Sequence, residues 1–169
     1  MGGSDAGAGR HFLFHVRGRR ERRPEGAKTG MKADKLWPVI VAEDDPGEVE
    51  LLKRAWARAD VSHNLVWVED GAALLDYLRD QRSPVAFVLL DVKLPRKTGH
   101  EVLAEMKTDE RLRGIPVVML SGSKREEDVR RAYELGAASY FVKADSIDGM
   151  ASIVRLLRSY WLEAAEVPG

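Results

Sequence analysis

The sequence predicts an α/β fold in which a parallel sheet is covered by helices on both faces. Three observations carry the prediction. From Leu36 onward, short apolar and β-branched runs alternate with segments of helical period. The run Val85–Leu90 is apolar throughout, as a central strand buried on both sides must be. The polar residues with chemical potential stand where the runs end, the place where ligands collect on an open parallel sheet.

Trp37–Ala42 reads as the first strand, closed by Glu43, Asp44, Asp45 and Pro46. Asp45 suits the cap of the next helix and Pro46 its first turn. Val49, Leu52 and Trp56 form the buried stripe, with Trp56 as core packing, and the helix ends near Ala59. Leu65–Val68 is the second strand, and an Asp70-Gly71 turn opens a helix facing inward through Leu74, Leu75 and Leu78. Val85–Leu90 is the third strand and stops at Asp91. Thr98-Gly99 leads into a helix with Val102, Leu103 and Met106 inside.

Ile115–Leu120 makes the fourth strand, with Pro116 near its start, where a missing N–H is tolerated. The following helix turns Val129, Ala132 and Tyr133 inward and finishes at Gly136, a residue suited to a left-handed stop. Ser139–Val142 is a short fifth strand, and Met150, Ile153, Val154, Leu157 and Trp161 line a last helix. The expected count is five βα units. His63 and His100 lack ligand-like spacing and read as surface residues.

With 169 residues, 44% of them hydrophobic, the chain has room for one ordinary domain. The absence of cysteine excludes disulfides and thiolate metal sites and is compatible with a cytoplasmic protein. No apolar run approaches the roughly 20 residues that span a bilayer. A formal net charge of zero conceals a division: residues 1–35 carry nine Lys/Arg against four Asp/Glu, and the remainder eighteen against twenty-three.

Residues 1–35 therefore read as a disordered basic extension, 36–163 as the folded domain and 164–169 as a short tail. Arg10, Arg17, Arg19, Arg20, Arg22 and Arg23 offer contacts to an acidic surface or nucleic acid, but a Gly-rich basic segment without hydrophobic periodicity is ordinarily unstructured. The His11–Val16 run is too short for a signal-peptide core, and Met31 is an alternative start. Eight residues follow Trp161, so the expectation is a protein without a C-terminal DNA-binding or enzymatic output domain, signalling through its own surface. The last helix, with Tyr160 and Trp161, offers a face for homodimerisation or for packing on its own core.

Glu43 and Asp44 follow the first strand, Asp91 the third, Ser121 the fourth and Lys143 the fifth. Three carboxylates crowded into one crevice raise one another's pKa, and keeping them ionised calls for a cation. Hard oxygen ligands with open positions favour Mg²⁺. Asp91 is suited to act as a nucleophile toward phosphorus. The Lys143 ammonium and the Ser121 hydroxyl can each serve a phosphoryl oxygen. Taken singly, Asp44 or Asp45 would be a helix cap, Lys143 a solvated strand-end charge and Ser121 a turn hydroxyl; their combination favours chemistry for all but Asp45.

The fragments V-A-E-D-D, L-L-D-V-K-L-P-R-K-T-G, V-V-M-L-S-G-S, E-L-G-A and Y-F-V-K stand in order over about 36–163. Asp91 to Ser121 is 30 residues and Ser121 to Lys143 is 22. In these features the chain resembles the response-regulator receiver family. The resemblance implies a flavodoxin-like doubly wound sheet of five strands in the order 2-1-3-4-5 with five helices. It also implies a Mg²⁺ site of Glu43, Asp44, Asp91 and the main-chain carbonyl of Lys93, and phosphorylation of Asp91 by a sensor histidine kinase.

In the family a hydroxyl residue and an aromatic on the fifth strand switch the surface of the fourth helix, fifth strand and fifth helix; Ser121 and Tyr140 match them. The E-D-G turn, L-P-R-K-x-G-x-E-V-L and Y-W-L are most similar to the stand-alone receivers that partner phytochrome-type kinases. Such a domain is not an enzyme beyond its own phosphorylation and dephosphorylation. Two departures stand out: Lys143 precedes Ala144 where the family has proline, which implies a strained or altered geometry at that bond, and Thr98 replaces a frequent aspartate.

Rival readings are weaker. A phosphorylation-independent interaction module would typically lack Asp91 or Lys143. A haloacid-dehalogenase-type phosphohydrolase requires a second aspartate where Lys93 stands. A nucleotide-binding domain would have a glycine-rich first loop in place of the acidic one.

Overall fold

The computed structural model describes residues 13–16 and 36–166. Its strands are β1 (Leu13–Val16), β2 (Val39–Ala42), β3 (Leu65–Val68), β4 (Phe87–Leu90), β5 (Val117–Ser121) and β6 (Ser139–Val142). The helices are α1 (Pro46–Arg58), α2 (Gly71–Asp80), α3 (Gly99–Thr108), α4 (Glu126–Glu134) and α5 (Ile147–Leu157), and α5 runs on into a π-helical turn over Arg158–Ala164. All strand pairs are parallel, in the order β1-β3-β2-β4-β5-β6. With β1 set aside, β2 to β6 reproduce the expected flavodoxin-like order 2-1-3-4-5.

The alternation of side chains along each strand divides the interior into two layers. Ile40, Ala42, Val88, Leu90, Val117 and Met119 face α2, α3 and α4, where they meet Leu74, Leu75, Leu103 and Met106. Val39, Val41, Phe87, Leu89 and Val118 face the opposite way, against Leu52, Trp56, Met150 and Val154 of α1 and α5. β4 is completely buried, so its carboxyl end delivers Asp91 from the rigid centre of the sheet.

Helix starts follow the sequence closely. Asp45 accepts from Gly47 N and Glu48 N to cap α1, Asp70 accepts from Ala73 N to cap α2, and Thr98 with Glu101 forms a reciprocal capping box on α3. Two glycines are dictated by close approach. A Cβ on Gly99 would lie 2.0 Å from the Asp91 carbonyl oxygen, and one on Gly71 would lie 2.5 Å from that of Lys97. Both glycines clamp the loop that follows Asp91.

Four expectations change. Leu13–Val16, counted within the disordered extension, forms a strand that lengthens the sheet beside β3, in register Leu13↔Leu65 to Val16↔Val68; the rest of residues 1–35 lies outside the described residues. β3's outer edge presents unpaired backbone groups that a short apolar segment can satisfy, although four residues show no periodicity to detect.

Tyr133 is half exposed rather than inward. α4 is the most polar helix and buries only Ala132 fully, while the Tyr133 hydroxyl accepts from Tyr140 N at 3.2 Å. His100 is buried, not superficial, because the first turn of α3 tucks under α4 and its Nε2 lies 3.0 Å from the Asp128 carbonyl oxygen. The last helix does not continue as an α-helix to Trp161. The chain widens there, setting Trp161 against Phe87 with ring centroids 6.3 Å apart and leaving Tyr160 exposed.

Candidate functional site

The carboxyl ends of β2, β4, β5 and β6 bring Glu43, Asp44, Asp91, Ser121 and Lys143 to one end of the sheet. Glu43, Asp44 and Asp91 each offer an oxygen within 4.8 Å of the others. Glu43 and Asp91 are buried, whereas Asp44 is open to solvent, so the cluster has a dry floor and an accessible rim. Lys93 lies two residues past Asp91 in the loop before α3, with its side chain exposed.

Lys143 Nζ donates to Glu43 Oε2 at 2.5 Å and to Asp91 Oδ2 at 3.3 Å, with Glu48 Oε2 at 4.0 Å. Burial raises the Glu43 pKa, and the bond and charge of Lys143 only partly offset it. For Lys143 burial acts downward, but the hydrogen bond to Glu43 and the charges of Glu43, Asp91 and Glu48 outweigh it, and the net direction is up. The ammonium thus stays charged among three carboxylates.

Asp91 Oδ1 is buried without a hydrogen-bond partner. A buried carboxylate oxygen left unpaired is costly. A cation beside Glu43 and Asp44 would satisfy it. The donor set is all oxygen and partly open, which fits a hard divalent ion such as Mg²⁺ or Mn²⁺.

Ser121, fully buried at the end of β5, accepts from Ser123 N at 3.4 Å. Tyr140, on β6, donates its hydroxyl to the Ser123 carbonyl at 3.0 Å, and burial pushes its pKa up. Ser123 Oγ in turn donates to Asp128 Oδ2 at 2.5 Å. The two residues matched to a switch therefore lie beside each other at one loop, β5–α4.

The sequence profile of the response regulator receiver domain matches residues 39–155, which takes in every strand end that builds this pocket. The chain belongs to the response-regulator receiver family. Members bind Mg²⁺ or Mn²⁺ at an acidic pocket, and their general role is to accept a phosphoryl group from a histidine kinase. The probable methanogenesis regulatory protein FilR2 of Methanothrix harundinacea is 38% identical over 143 residues, covering 82% of this chain and 92% of the relative.

Response regulator Rcp1 of Synechocystis is 34% identical, over 77% of this chain and 92% of its own length. The crystal structure of its Mn²⁺-bound form aligns with a TM-score of 0.69 at 35% identity, covering 78% of this chain and 99% of that one. The phosphorylated cyanobacterial phytochrome response regulator RcpA aligns with a TM-score of 0.73 at 36% identity, covering 79% and 99%. The subgroup resemblance read from the sequence is thus shown: this receiver is homologous to stand-alone response regulators of phytochrome signalling. Among the described residues no helix is long and apolar enough to cross a membrane.

The bond between Lys143 and Ala144 is trans, as are all described peptide bonds, so the geometry there is the altered one of the two alternatives. Sequence reasoning missed Trp67, whose indole Nε1 donates to the Glu43 carbonyl at 2.8 Å. It also missed Arg96, which pairs with the α2 cap Asp70 from a left-handed backbone position of φ 63°. Arg96 stands within the run L-L-D-V-K-L-P-R-K-T-G, but nothing in that run marks it as the partner of Asp70; for Trp67, a tryptophan in a short strand before an acidic turn was the one available signal.

Proposed function

We propose that this receiver is a single-domain response regulator that takes a phosphoryl group on Asp91 from a histidine kinase. Glu43, Asp44, Asp91 and the main-chain carbonyl of Lys93 would hold Mg²⁺. The observation that carries the reading is Asp91 itself: a buried carboxylate with one oxygen facing Lys143 and the other unpartnered. An Asp91 oxygen forms the bond to phosphorus as the bond from phosphorus to the kinase imidazole breaks, and the freed electron pair stays on that nitrogen.

Bound Mg²⁺ supplies charge neutralisation for the phosphoryl oxygens. Lys143 exchanges its bond to Glu43 for one to the new phosphoryl group, and the Ser121 hydroxyl donates to another of its oxygens. Tyr140 follows Ser121, and the surface of α4, β6 and α5 is the readout. The likeness to RcpA and Rcp1 supports a phytochrome-type kinase as the partner, and a cytoplasmic setting is part of the same proposal. The exposed edge of Tyr160 leaves a second copy of the chain as a candidate partner beside a separate downstream protein.

Acetyl phosphate with Mg²⁺ tests the reading without a kinase, because self-phosphorylation from a small donor uses only these residues. Wild type should gain one phosphoryl group by intact mass, and Asp91→Asn or chelation of the metal should abolish the gain. Incorporation into Asp91→Asn at the wild-type rate would remove Asp91 from its role.

A further inference from the structure

β3 lies beside β2, the strand that ends in Glu43 and Asp44. The last ladder bond between the two runs from Glu43 N to Val68 O, 3.1 Å. Beyond it the chain leaves the sheet, and the Glu43 carbonyl, which the ladder no longer serves, accepts the Trp67 indole N–H at 2.8 Å. That carbonyl belongs to the planar peptide joining Glu43 to Asp44, so fixing it orients both candidate ligands. The indole is itself fixed, half-buried against the α1/α5 layer.

We propose that Trp67 is a positioning residue for the divalent cation: its indole N–H holds the Glu43–Asp44 peptide in the geometry the ion requires. The bond differs in kind from the other tethers of this turn. Both Glu43 side-chain oxygens are engaged, Oε1 by Asp45 N at 3.1 Å and Oε2 by Lys143, and an arriving cation competes for those oxygens. The indole uses the main-chain oxygen instead, and so keeps the turn in place while the side-chain bonds exchange. The inference rests on the metal site assigned above.

The test compares Mg²⁺ affinity, by calorimetry on the full chain, for wild type, Trp67→Phe and Trp56→Phe. Phenylalanine keeps a ring in the core and removes only the donor. Trp56 also loses an indole bond, to the His63 carbonyl at 3.0 Å, but at the far end of β3. Trp67→Phe should bind Mg²⁺ about three- to tenfold more weakly, the scale of one lost hydrogen bond, while its rate of acetyl phosphate incorporation at saturating Mg²⁺ stays near wild type.

Trp56→Phe should lose thermal stability yet keep its Mg²⁺ affinity. In the wild-type ¹⁵N spectrum the Trp67 indole resonance should shift during the titration and that of Trp56 should not. Unchanged affinity in a folded Trp67→Phe, or a Trp67 indole signal that ignores bound Mg²⁺, overturns the proposal. A wild type that binds no Mg²⁺ overturns the site assignment beneath it, which separates the two failures.

Discussion

Lys143 bonds more closely to Glu43 than to Asp91: its ammonium lies 2.5 Å from Glu43 Oε2 and 3.3 Å from Asp91 Oδ2. Without metal the lysine is thus the counter-ion of the acidic floor. Lys143→Met should leave those buried carboxylates uncompensated and lower stability in EDTA by about 3 kcal/mol, the scale for one lost partner of a buried ion pair. A divalent cation replaces the missing charge, so the deficit should shrink as Mg²⁺ is added, and the variant should bind Mg²⁺ more tightly than wild type. Chemical denaturation with and without Mg²⁺ checks this; a deficit that does not respond to Mg²⁺ would place Lys143 outside the metal's electrostatic reach.

The Asp70–Arg96 pair leads to a pH prediction. Burial acts to raise the Asp70 pKa, but the Arg96 hydrogen bond and charge, with the amides of the α2 first turn, outweigh it and the net direction is down. A depressed carboxylate contributes stability that is complete above its unfolded value of about 3.9 and is lost as pH falls through the lower folded value. Asp70→Asn keeps a capping side chain and removes the charge. It should cost about 0.5–1 kcal/mol near neutrality, since Arg96 is largely exposed, and the difference from wild type should vanish in acid. Thermal unfolding from pH 7 to 3 follows it, and a gap that widens on acidification would reverse the sign assigned to Asp70.

What was legible in the sequence was whatever depends on strand period and strand ends. Leu65–Val68 and Ser139–Val142 are strands over the residues expected, and the remaining three receiver strands differ only at their limits. The strand-end rule also brought Glu43, Asp44, Asp91, Ser121 and Lys143 together, because a parallel sheet delivers every carboxyl end to one side. Contacts between neighbouring helices were not legible. Nothing in the spacing of His100 and Asp128 shows that one ring nitrogen meets the other's carbonyl, since that depends on how α3 and α4 pack. The β1 strand escaped for a related reason: its pairing is set by a vacant sheet edge, not by its own four residues.

Gly99 ties the loop after Asp91 to the sheet by a hydrogen bond and by close approach. Its N–H donates to the Val92 carbonyl at 2.9 Å, and a methyl group there would overlap the Asp91 carbonyl. Gly99→Ala should cost about 1–3 kcal/mol, as overpacking does, and should weaken Mg²⁺ binding by moving the backbone that carries Asp91. Gly114, where an added Cβ meets nothing within 4 Å, is the control: Gly114→Ala should be near neutral in both measurements. Equal effects at the two glycines would show that the close approach at Gly99 carries no energy.

Three side chains hold the β5–α4 region: Tyr140 through the Ser123 carbonyl, Ser123 through Asp128 Oδ2, and His100 through the Asp128 carbonyl. The Tyr140 ring already packs against the core beside Ser121 with its hydroxyl on the Ser123 carbonyl, so that bond belongs to the inward position of the ring. Tyr140→Phe removes that bond and keeps the ring. Amide exchange over residues 122–125 should then accelerate about fivefold, the value of one ordinary hydrogen bond, in the unmodified protein. After loading with beryllofluoride, a stable mimic of the phosphoryl group, the difference between the two proteins should persist, because the inward ring keeps the same bond. Hydrogen exchange by mass spectrometry reads both states. Two proteins that exchange alike after loading would show that the bond is given up in the loaded state and that Tyr140 is not held inward behind Ser121 there.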